Sequence, residues 1–199
     1  MTAVGRLLPR GWRDFFFQLS LWLGFGLAYQ VARGIADRGP LEAIQNGLTV
    51  IDAERAINAL VELDIQRAVM HAGDWALEAV NLTYWLSQFV VVGVVLFWVY
   101  LRRHERFAFF RNWLILANVA GLACYALIPT APPRMLPEWG FTDTLAHSAS
   151  IDHDTVGVLA NQYAAMPSLH AMDALIVGVV MFTIVRSPAA KLLWLAWPV

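Results

Sequence analysis

The sequence predicts an all-α, polytopic integral membrane bundle, and three observations predict it. First, 59% of the 199 residues are hydrophobic and only 15% are charged, with a mean hydropathy of +0.55. A soluble domain is nearer 45–50% apolar and 25% charged, so one soluble core could not hide this much apolar surface. Second, long charge-free runs recur along the chain, several of them near the length that crosses the hydrocarbon core. Third, nine tryptophans fit a residue type that collects at bilayer interfaces. The formal net charge of −1 gives no footprint for nucleic acid. The single cysteine, Cys124, cannot form an intrachain disulfide and reads as packing.

In chain order, a short basic start carries Arg6, Arg10 and Arg13 against Asp14. A first span follows at about 15–36, uncharged from Phe15 to Ala32. A cleaved signal peptide is the alternative, but Gly34-Ile35-Ala36 is a weak cleavage match and further spans follow, which favours an uncleaved helix. Segment 37–74 is charged. Leu41, Ile44, Leu48 and Ile51 recur at helical spacing, and Ile57, Leu60 and Val61 continue after a phase shift. It reads as amphipathic helix on the membrane surface or against the bundle, with a small soluble helical hairpin as the other reading.

The second span is expected at 79–101, the third at 112–128 before Pro129, and the fourth at 167–185. A polar outer loop, 129–166, holds Pro132, Pro133 and Pro137 with Glu138, Asp143, Asp152 and Asp154. A fifth apolar run, 192–199, is too short to cross a bilayer. The expectation is four complete spans and the start of a fifth, in one membrane domain. Basic residues gather before span one, between spans two and three (Arg102, Arg103, Arg106, Arg111) and after span four (Arg186, Lys191). These places alternate onto one side, so the positive-inside rule puts the N-terminus in the cytoplasm of a cell-membrane protein. Segments 37–74 and 129–166 then face outward.

Two motifs carry chemistry. In Met166-Pro167-Ser168-Leu169-His170, Pro suits a first helical turn and the turn's unpartnered N–H groups form an anion site, to which Ser168 adds a hydroxyl. His170 supplies an acid or base near neutral pH. Asp173, three residues on, shares its helix face and is placed to orient the imidazole. Ionisable groups in a membrane segment point to function. The bland readings are a packing histidine, an inter-helix hydrogen bond for Asp173 and simple helix initiation. The second motif, Pro129-Thr130-Ala131-Pro132-Pro133-Arg134, presents a guanidinium from a proline-stiffened base on the same outer side. An arginine clamp, a helix N-terminus and a histidine are the parts of metal-free phosphoryl transfer. One histidine and one aspartate on a helix are too few for a metal site, and no cofactor is implied. A transporter is a further alternative; it predicts more polar residues deep in other spans, for which Asn81, Ser87, Gln88 and Asn118, all uncharged, are thin support.

Together, residues 129–134 and 166–170 resemble the type 2 phosphatidic acid phosphatase superfamily, and most nearly its inositol phosphorylceramide synthase-like, inositolphosphotransferase branch. The resemblance implies a lipid phosphatase or phosphotransferase working without metal at the extracytoplasmic face on a lipid phosphate or phosphodiester. It implies that Arg134 and Ser168 bind substrate phosphate and that His170 protonates the leaving group. The family's third motif supplies a histidine nucleophile, which forms a phospho-enzyme, with an aspartate four residues later. No such pair occurs here. His71, His104, His147 and His153 do not fill the role, although Asp152 and Asp154 flank His153. The resemblance places that motif near a sixth span, beyond Val199. The expectation is therefore an N-terminal portion of a longer enzyme, without turnover by itself. A non-catalytic lipid-phosphate-binding protein of the same fold is the alternative. No lysine precedes Arg134 at the superfamily's usual spacing, which the inositolphosphotransferase-like branch tolerates.

Overall fold

The computed structural model describes residues 8–36, 40–144 and 163–198, and they form an all-α protein. Helix α1 spans Gly11–Ala36, α2 Pro40–Ala56 and α3 Glu62–Ala72. A long helical stretch follows as α4 (Asp74–Leu86), a π-helical turn (Ser87–Val91) and α5 (Val92–Arg102). Helix α6 spans His104–Leu127, α7 Leu169–Ile184 and α8 Pro188–Ala196. Among the described residues, three helical stretches are long and apolar enough to cross a membrane: Gly11–Ala32, Asp74–Arg102 and His104–Leu127. Helix α7 is equally apolar but shorter, at 16 residues. The chain is thus an integral membrane protein of helical type.

Helix ends follow local chemistry. Pro40 and Pro188 open α2 and α8, where a missing N–H costs nothing. Gly73, at φ +100°, separates α3 from α4 in a backbone region that favours glycine. The first helix begins four residues before the uncharged run at Phe15, taking in Arg13 and Asp14. Asp14 accepts a hydrogen bond from the Tyr100 hydroxyl at 3.0 Å, which makes a charged residue tolerable there.

The chain divides into two compact units. The first comprises Met1–Val31, Leu86–Ala120 and Leu169–Val199. Its core is built from Val92, Val95, Leu96, Val99 and Tyr100 of α5, Phe107, Phe110 and Leu114 of α6, and Val177, Val180 and Met181 of α7. The α5 residues fall at spacings of three and four, the stripe a helix needs to bury one face.

Helices α7 and α8 touch at Gly178. A Cβ there would lie 2.6 Å from the Trp194 carbonyl oxygen and 3.3 Å from the Pro198 ring. The obstacle is backbone, so the helices would have to separate. Gly178→Ala is expected to cost about 1–3 kcal/mol, as overpacking does, and to lower the thermal transition in detergent. Gly93→Ala, whose Cβ meets nothing within 4 Å, is the control and should leave the transition unchanged or raise it.

The second unit comprises Ala32–Trp85 and Gly121–Ser168. Ile51 of α2 packs with Leu136 and Phe141 of the loop, flanked by Ile44, Leu48, Leu60, Leu63 and Trp139. The described residues from Pro40 to Ala72 therefore fold as α2 and α3, and α2 buries Ala43, Gly47 and Ile51. Leu41, at the start of the apolar stripe, stays 77% exposed.

Candidate active site

The proline-rich motif is fixed to the second unit by its backbone. Asn46 of α2 donates its side-chain amide to the Pro129 carbonyl at 2.8 Å. The Ala131 N–H donates to the Ala43 carbonyl at 2.9 Å. Gly47 lies under the same segment, and a Cβ there would come 3.0 Å from the Ala131 carbonyl oxygen. Ala43 and Gly47 thus form a small-residue seat one helical turn long. The Pro129–Pro132 backbone is buried, Arg134 is half-buried, and Pro133–Met135 makes one 3-10 turn that carries the guanidinium. The charge of Arg134 lies within electrostatic reach of the Tyr84 phenol on α4.

The same segment is tied to the residues that precede Ser168. Thr130 and Ala164 form a parallel bridge: the Thr130 N–H donates to the Tyr163 carbonyl at 2.8 Å, and the Ala165 N–H to the Thr130 carbonyl at 3.1 Å. A fixed backbone connection therefore links the chain four residues before Arg134 to the chain four residues before Ser168. Tyr125, 2% exposed, donates its hydroxyl to the Pro167 carbonyl at 2.7 Å. The Met166–Pro167 peptide is cis. Ser168 is exposed and immediately precedes α7. The helix starts at Leu169, two residues after the proline, which gives Ser168 the N-cap position that serine favours.

His170 is the second residue of α7 and half-buried. Asp173 is 3% exposed. It belongs to the first unit, where it accepts from the Asn118 side-chain amide of α6 at 3.0 and 3.3 Å, one bond to each carboxyl oxygen. The Asn118 amide nitrogen also donates to the Leu114 carbonyl at 3.0 Å. Of the four residues expected at the site, Arg134 and Ser168 therefore lie in the second unit, and His170 and Asp173 in the first. His147, His153, Asp152 and Asp154 lie outside the described residues.

Sequence reasoning did not find Asn118 as the donor to Asp173, Tyr125 as the donor to Pro167, or Asn46 and Gly47 as the seat of the arginine motif. An amide in an apolar helix and the Ala-x-x-x-Gly spacing at 43–47 were the available signals. Asn118→Leu is expected to cost about 1–3 kcal/mol by leaving the Asp173 carboxyl without that donor. Asn118→Leu combined with Asp173→Leu should recover part of the loss in a double-mutant thermal-unfolding cycle.

Comparison with curated proteins and with solved structures gives no match. The family model of the PAP2 superfamily matches residues 48–199, more than half of the chain and a stretch that contains both motifs. With that match, the chain belongs to the PAP2 superfamily, whose members are lipid-phosphate phosphatases and phosphotransferases.

Proposed function

We propose that the protein performs metal-independent phosphoryl transfer on a lipid phosphate or phosphodiester at the extracytoplasmic face of the membrane. Arg134 and Ser168 hold the phosphate oxygens: the arginine by paired N–H donors, the serine by its hydroxyl at the positive end of the α7 dipole. A histidine nitrogen attacks phosphorus, and the bond from phosphorus to the leaving alcohol oxygen breaks. His170 donates its proton to that oxygen, so the alcohol leaves neutral. The resulting phospho-histidine is cleaved by water in a phosphatase, or by an alcohol such as an inositol hydroxyl in a transferase of the inositolphosphotransferase type. The nucleophilic histidine is not assigned to any of the residues described.

The observation that carries this reading is the bridge between Thr130 and Ala164, with Ala165 bonded to Thr130. It supports a shared phosphate cradle by joining the backbones of two motifs 34 residues apart in sequence, counted from Arg134 to Ser168. The family match over 48–199 supports the chemistry. The clustering of arginines at 102, 103, 106 and 111 supports a cytoplasmic α5–α6 turn, and hence an outward-facing Ser168.

Full-length protein in liposomes containing a lipid phosphate should form product at an unchanged rate in excess EDTA. Loss of activity in EDTA, restored by a divalent cation, would remove the metal-independent mechanism.

A further inference from the structure

The first unit contains an open groove of about 240 Å³ that the proposed chemistry does not use. Its walls are Phe15, Leu19 and Trp22 of α1, Leu96 and Phe97 of α5, and Phe107 of α6. Phe15 and Trp22 are seven residues apart, so the groove runs about 10 Å along the helix axis. Its volume holds roughly eight groups of water size, at about 30 Å³ each. An apolar groove of that length and volume between membrane helices suits a segment of one acyl chain.

One polar edge breaks the apolar lining. Arg111 and Gln18 face the groove. The Arg111 guanidinium donates to the Asn112 side-chain oxygen through Nε at 3.0 Å and through Nη2 at 2.8 Å, and also to the Gln18 side-chain oxygen. It lies 5.8 Å from the Phe107 ring centre. All these partners are neutral, and among the described residues no carboxylate pairs with Arg111. Asp14 stands one hydrogen bond further on, held by Gln18 at 3.2 Å and Tyr100 at 3.0 Å, with His104 at 4.0 Å. At the cytoplasmic membrane surface, a guanidinium with only neutral partners attracts an anionic headgroup. Arg111 sits where one acyl chain would end, two turns into α6 and close in sequence to Arg102, Arg103 and Arg106 of the α5–α6 turn.

We propose that this groove binds an anionic phospholipid of the cytoplasmic leaflet, with one acyl chain along α1 and α5 and the headgroup phosphate paired to Arg111. The leaflet follows from the proposed topology; the site itself does not depend on the proposed reaction. Arg111 supplies the charge complementarity, and a polybasic end favours anionic over zwitterionic headgroups.

The test is native mass spectrometry of the full-length protein in detergent, with phosphatidylglycerol or phosphatidylcholine of matched chains added. Wild type should retain phosphatidylglycerol about five-fold or more above phosphatidylcholine. Arg111→Gln should bring the two lipids to equal retention. Gly93→Leu places a side chain into the groove at a position where a Cβ meets nothing within 4 Å. It should abolish retention while leaving helical content and thermal transition as in wild type, so it decides the matter if Arg111→Gln does not fold. Equal retention of both lipids by wild type, no retention by wild type (a groove covered by protein), or wild-type retention by Gly93→Leu would each overturn the proposal.

Discussion

Replacing His170 with alanine is expected to lower turnover of a lipid phosphate by roughly 100- to 10,000-fold, the range of a positioned general acid or base. The loss should depend on the leaving group. A lipid alcohol is a poor leaving group and needs the proton. A nitrophenyl ester leaves as a stable phenolate and does not. The deficit of His170→Ala should therefore shrink at least ten-fold on an aryl phosphate ester. His170 is half-buried at the second position of α7, outside the α5–α6–α7 core, so the substitution should leave the thermal transition near that of wild type. An equal deficit on both substrates would make His170 a packing or binding residue rather than the acid.

Arg134→Ala should cost roughly 100- to 1,000-fold in kcat/KM, comparable to removing one preorganised donor from a developing anion. Arg134→Lys should recover only part of this. It restores the charge without the planar fork that binds two phosphate oxygens at once. The substitution is local, because the backbone beneath it is held independently. Asn46, Ala43 and Gly47 fix Pro129 and Ala131, and the bridge at Thr130 fixes the approach to Ser168. Full recovery by lysine would reduce Arg134 to a point charge.

The helices were legible because membrane solvation enforces charge-free runs, and such runs can be read directly. The same physics marked the exceptions: His170 and Asp173 stand out because apolar surroundings make them costly. Partners were not legible. The spacing within α7 suggested a role for Asp173 toward His170 but gave no sign of its hydrogen bonds from Asn118, 55 residues earlier and on another helix. That pairing is set by how α6 and α7 pack, which no spacing within α7 encodes. Segment 37–74 showed an apolar stripe but not its target. The target is the loop that carries Arg134, and the decisive residues, Ala43 and Gly47, matter for being small enough to let backbone approach backbone. The π-helical turn at Ser87–Val91 was not read from the sequence, since a single wide turn in an uncharged stretch leaves no charge pattern to mark its phase.

The central claim is that Arg134, Ser168 and His170 serve metal-free phosphoryl transfer through a histidine-bound phosphate. The most direct measurement is trapping of that intermediate. Full-length protein is mixed in EDTA with a lipid phosphate carrying radioactive phosphorus, then denatured rapidly. Wild type should carry protein-bound label that is stable in base and labile in acid, as a phosphoramidate is, and Arg134→Ala should carry far less. Rapid product formation by wild type with no such label at any quench time would contradict the account.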